Sequence, residues 1–167
     1  LDNQGFVTTL TNGAASSATQ VVDSTTGIVA GNTINWSIDK TPLFSEEATS
    51  EIQVGEAGQE ASLTIPPNID NLTVGMILSA SNIRSRSGDN ITITAIGTSS
   101  VTISEEITTD PKIDITFTTD GITVDSINAD GVTLVASQSL NLTDNLSLNF
   151  GGEQEDLEAH VEGGTST

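Results

Sequence analysis

The chain has 167 residues, room for one domain of ordinary size or two small ones, and no cysteine, which excludes a disulfide framework and a thiolate metal site. Its 23 acidic residues against four basic ones (Lys40, Arg84, Arg86 and Lys112) give a net charge of −19. Neutralising phosphates takes a basic face that four cations cannot build, so DNA, RNA and anionic lipid are not expected as partners, and no apolar run reaches the roughly 18 residues that would cross a bilayer.

From the N-terminus, Leu1 to Phe6 lacks the basic and apolar segments of a signal peptide and is too polar to fold alone, which makes it a candidate arm that orders against a neighbour. Asn12-Gly13 and Thr26-Gly27 are turn signals on either side of Val21-Val22. Ile34, Trp36 and Ile38 then alternate with Asn35 and Ser37, the period of two that places apolar side chains on one face of a strand. Ser45 to Gln53 is a weak helix candidate, with a capping-type serine ahead of Glu46-Glu47-Ala48 but no broad apolar stripe.

Pro66-Pro67-Asn68 and Ser87-Gly88-Asp89-Asn90 mark the next turns. Ile91 with Ile93, Val101 with Ile103, and Ile113, Ile115 and Phe117 each alternate with polar residues, most often Thr, which itself favours strands. Asp120-Gly121 and Asp130-Gly131 are further turns, after which Leu140, Leu142, Leu146, Leu148 and Phe150 continue the alternation. Glu153 to Glu162 sets Leu157 and Val161 four apart, as a short helical turn would, but a Gly/Ser/Thr run follows and 153–167 reads as an acidic flexible tail.

Many short strands at roughly ten-residue spacing predict an all-β fold: an antiparallel β-sandwich or small barrel, of one module or more, with little helix. The same spacing suggests an N-terminal β region over 1–58, a central unit over 59–119, a C-terminal β segment over 120–152 and the tail. An internal echo crosses these boundaries. Val21-Val22-Asp23-Ser24 followed by Gly27-Ile28 is similar to Thr123-Val124-Asp125-Ser126-Ile127 followed by Gly131-Val132.

The central unit carries a further likeness. Val74-Gly75-Met76-Ile77-Leu78-Ser79, a polar loop with Ile83, Ile91-Thr92-Ile93-Thr94-Ala95-Ile96 and Val101-Thr102-Ile103-Ser104 resemble a β-repeat of tailed-bacteriophage structural proteins, notably those of cyanobacterial and other marine phages. Val21 to Ile34 looks like the front half of the same unit. The loop Arg84-Ser85-Arg86-Ser87-Gly88-Asp89 departs from the shorter Gly-rich turn of that pattern. Such repeats occur in tail fibres, baseplate parts and head decoration proteins, so the resemblance implies a virion location, and the short chain favours a capsid decoration (cement) protein.

His160, the one histidine, sits in the tail without an apolar setting to fix it, and catalysis needs rigid positioning. Glu46-Glu47 and Glu105-Glu106 are carboxylate pairs, yet neighbours along a strand face opposite ways and cannot flank one bond. Asp120, Asp125, Asn128 and Asp130 gather oxygen ligands that suit calcium, but without a twelve-residue helix–loop–helix site, and Asx residues in turns more often bond their own backbone. The Asn-x-Ser/Thr sites at Asn35, Asn71, Asn90, Asn141 and Asn145 are expected by chance in so Ser-, Thr- and Asn-rich a chain. No catalytic, cofactor-binding or metal residue is therefore assigned.

Arg84 and Arg86 concentrate half the positive charge within three residues and, two apart on an extended segment, would point the same way. They are the candidate partner-docking residues, suited to an acidic patch because the guanidinium binds carboxylates in bidentate fashion. The expectation is a non-enzymatic virion protein without a cofactor, binding other virion proteins and foremost the major capsid protein, as a homo-oligomer with a trimer favoured, and engaging neither nucleic acid nor membrane. A tail fibre or baseplate component and a bacterial surface adhesin or filament subunit are the alternatives.

Overall fold

The computed structural model describes residues 7–13, 16–42, 52–54, 59–80, 83–85, 88–109 and 114–151. Among them the chain forms strands and no helix. The first strands are β1 (Val7–Asn12), β2 (Ser17–Val21), β3 (Thr33–Asn35), β4 (Ser37–Lys40), β5 (Ile52–Val54), β6 (Ala61–Thr64), β7 (Ile77–Ser79) and β8 (Arg84–Ser85). They are followed by β9 (Ile93–Ile96), β10 (Ser100–Ile103), β11 (Ile107–Thr109), β12 (Ile115–Thr118), β13 (Val124–Ile127), β14 (Thr133–Leu140) and β15 (Asp144–Gly151). Every ladder between them is antiparallel, and the fold is all-β and sandwich-like, without a closed barrel among the described residues. Of the weak helix candidate at 45–53, Ile52 and Gln53 belong to β5 and the rest lies outside the described residues, as does the 153–162 candidate.

The strands gather into two compact units that follow pairing rather than chain order. The first is Leu1–Trp36 together with Gly121–Thr167, and the second is Ser37–Asp120. In the first unit, β15 lies between β1 and β3, while β14 lies between β13 and β2. The two sheets are joined by a bridge between Thr33 and Thr123 and by the short connections β1–β2 and β14–β15, which pass from one sheet to the other. Phe150, fully buried, is in register with Val7 on one side and Ile34 on the other. Ile34, Leu134, Leu140 and Leu148 fill the same core, each side chain contributing on the order of 1.5–3 kcal/mol by leaving water.

In the second unit the sheets are β4-β12-β7, β6-β10-β9 and β5-β11-β8. The central strand of each belongs to one stretch, 100–118, which is flanked by 37–64 on one side and 77–96 on the other. The segment 75–78 also runs antiparallel to 91–93, with Gly75 N–H donating to Ile93 C=O at 2.8 Å and Leu78 N–H to Ile91 C=O at 2.9 Å. Phe117 is fully buried, in register with Ile38 and Leu78, and Leu63, Met76, Ile103 and Ile115 are also buried in this unit.

The alternation fails at two places for one reason. Thr94 and Ala95 are both exposed because the register skips a residue between Ile93 and Ala95, and Asp125 and Ser126 are both exposed at the matching skip after Val124. Each is a β-bulge, which inserts one residue and turns its neighbours to the same side.

Candidate functional site

Arg84 stands in β8, opposite Thr108 of β11, with Ser85 opposite Ile107. Among the described residues β8 pairs with β11 alone, so it forms one border of the β5-β11-β8 sheet, with β5 the other. A border strand presents backbone N–H and C=O groups to whatever lies alongside, and brevity and charge are usual means of keeping such a border from unwanted pairing. β8 has two residues, one of them Arg84. Arg86 lies outside the described residues, as does Lys112.

The remaining cation is committed within its own unit. Lys40, on β4, donates from Nζ to the backbone carbonyl of Asn68 at 3.1 Å and to Asn68 Oδ1 at 3.3 Å. The same Oδ1 accepts from Asp70 N–H at 3.0 Å, so Asn68 fixes both the lysine and its own turn. Partial burial pulls the Lys40 ammonium below its ordinary value of 10.5, and the carboxylate of Asp70 opposes the shift.

The Asp130 turn is a local clamp. Asp130 Oδ1 accepts from Val132 N–H at 3.0 Å and Thr133 N–H at 2.9 Å, while Oδ2 accepts from the Thr133 hydroxyl at 2.6 Å. That hydroxyl, helped by the Val132 N–H, holds the Asp130 carboxyl below its ordinary range. The carboxylate thus bonds its own turn. No group of three or more His, Cys, Asp or Glu able to hold a metal ion is found among the described residues.

Glu105 and Glu106 follow β10, Glu105 half-buried and Glu106 buried, so the pair does not open onto one common surface. Glu46, Glu47 and His160 lie outside the described residues. Asn71 is buried, and Asn35 is engaged through Nδ2 with Thr33 Oγ1 at 2.9 Å and Asn149 C=O at 3.3 Å.

Several polar pins had no distinct sequence signal. Asn32 Oδ1 accepts from Val29 N–H at 2.9 Å, and the hydroxyls of Ser104 and Ser137 accept from Thr92 N–H and Thr123 N–H, each at 3.1 Å. On the exposed side of the β4–β12 pair, Thr116 donates to Asp39 at 2.7 Å and Thr41 to Asp114. The asparagine before a strand is the one cue composition offered, since Asx side chains cap nearby backbone. The polar side chains described above thus secure turns and strand borders. No protein-family model matches the chain, and no curated protein or solved structure matches it.

Proposed function

We propose that the chain is a non-enzymatic structural protein of a phage particle, which decorates or cements the capsid by binding neighbouring virion subunits, foremost the major capsid protein. It acts as a homo-oligomer, with three copies favoured because threefold association covers exposed strand borders. The observation that carries this reading is the resemblance of 74–104 to phage structural repeats. The residues that bear it are core-forming ones: Met76, Leu78, Ile91, Ile93, Val101 and Ile103 are all buried in the second unit.

Two physical features support a binding role. The net charge of −19 discourages non-specific sticking while leaving short-range pairing available. The border at β8 carries Arg84, and a short charged border pairs with one complementary edge more readily than with arbitrary ones. The mechanism is geometry and buried area, with Arg84 and Arg86 docking on an acidic patch. The test is to add the purified chain to phage heads that lack it. Saturable binding, with greater resistance of the shell to heat, supports cementing; failure to bind heads overturns it.

A further inference from the structure

The two units share more than a fold class. In the first, Gly31 N–H donates to Val124 C=O at 2.8 Å, Val124 N–H to Asn32 C=O at 2.9 Å and Ile34 N–H to Ile122 C=O at 2.8 Å. In the second, Gly75 donates to Ile93 at 2.8 Å, Ile93 to Met76 at 2.9 Å and Leu78 to Ile91 at 2.9 Å, the same bonds residue for residue. The lone bridges correspond, Thr33 with Thr123 and Ile77 with Thr92. The turns leading in also match: Ile28 N–H to Thr25 C=O recurs as Leu72 N–H to Ile69 C=O, and left-handed residues stand at Gly27 and Gly31 as at Asn71 and Gly75.

Side-chain devices correspond too, and a generic sandwich does not require them. Ser137 donates its N–H to Thr123 C=O at 2.8 Å and accepts Thr123 N–H on Oγ at 3.1 Å; Ser104 does both with Thr92 at the same distances. The Val29 N–H is capped by Asn32 Oδ1, and its counterpart, Thr73 N–H, by Met76 Sδ. The bulges fall at the same step, and Phe150 opposite Ile34 corresponds to Phe117 opposite Leu78. Asp120-Gly121-Ile122-Thr123-Val124 and Asp89-Asn90-Ile91-Thr92-Ile93 are the sequence trace of the correspondence.

We infer that the second unit is a guest domain: a second copy of the first unit's fold, inserted whole into the connection between β3 and β13 of its host, each copy closing its own core. A guest needs its two ends side by side. Ser37, its first residue, is in register with Thr118, near its last. Within the guest, the connection after β7 is the topological counterpart of the one that hosts the guest, and it is this connection that carries β8 and Arg84.

The test compares Phe117→Leu and Phe150→Leu in the full chain by amide hydrogen exchange in rising denaturant, which reads local opening directly. Phe117→Leu is expected to speed exchange roughly tenfold or more in the strands of 37–120 and less than about twofold in the strands of 16–36 and 121–151. Phe150→Leu is expected to give the reverse. Acceleration of both units by either variant overturns the inference. Should a variant fail to fold, the unmodified chain decides: two sets of amides dividing at 36/37 and 120/121 support the guest reading, and one common set across the chain overturns it.

Discussion

Gly13 follows β1, and its replacement by alanine is a sharp test of the first unit's construction. A Cβ built there would collide with the carbonyl oxygen of Leu142 and lie 2.6 Å from the carbonyl carbons of Leu142 and Thr143. Real Cβ contacts stay beyond 3.0 Å, so the backbone at 142–143 must withdraw by roughly 0.4 Å or more. That backbone leads into β15 next to the Asn12–Asp144 pair, where the register already shifts. Overpacking of this kind costs about 1–3 kcal/mol. Alanine recovers about 0.4–1 kcal/mol by restricting the unfolded chain, and the middle of the two ranges leaves a net loss of about 1–2 kcal/mol. At about 4–8 °C per kcal/mol for a domain of 60–100 residues, the melting midpoint of the first unit falls by about 5–15 °C. Thermal melts followed by circular dichroism measure it, with Gly97→Ala as control, whose Cβ would meet Ser100 at 3.2 Å and demands a smaller adjustment. An unchanged or raised midpoint for Gly13→Ala refutes the reasoning.

Phe117→Ala removes a fully buried ring and is expected to cost about 3–5 kcal/mol, much of a small domain's total stability; a denaturant titration showing under about 1 kcal/mol contradicts the packing described. Asp130 has its carboxyl lowered in the folded chain, so its contribution is fully present above the ordinary value of 3.8 and is lost as pH falls through the folded value. Acid titrations of Asp130→Ala against the unmodified chain are expected to show a stability gap at neutral pH that closes in acid, and a pH-independent gap contradicts the clamp. Lys40 has the opposite consequence: its ammonium is lowered, so between the folded value and 10.5 the unfolded chain holds more protons and stability from this group rises with pH. Melts from about pH 8 to 10.5 are expected to show the unmodified chain gaining on Lys40→Met, and a constant difference refutes the desolvation. Joint substitution of Arg84 and Arg86 by alanine is expected to weaken binding to heads by about tenfold or more, as loss of charge-assisted bonds at an interface does; unchanged binding removes both arginines from the docking role.

Much of the fold was legible in the sequence because strand formation is local. The alternation of Ile34 and Trp36 with Asn35, or of Ile91 and Ile93 with Thr92, names the buried face directly. Turn residues did as well where a left-handed conformation was required, as at Gly27, Gly88, Gly121 and Gly131. Pairing across distance was not legible. No period tells that Val7 meets Phe150, or that the echo of 21–34 with the central unit reflects the same turn and bonds around Gly31 and Gly75. The bulges at 94–95 and 125–126 were hidden because a skipped residue looks like a lapse in alternation. At the site, Asp130 followed the ordinary habit of Asx residues in turns, whereas Lys40 was unpredictable because its partner Asn68 lies across a fold-dependent gap.

The most direct test of the proposed function is to locate the chain on purified phage particles with a gold-labelled antibody under the electron microscope. Label spread evenly over the head is the predicted result and makes the major capsid protein the partner to map. Label confined to the tail, or particles without label, contradicts the decoration role.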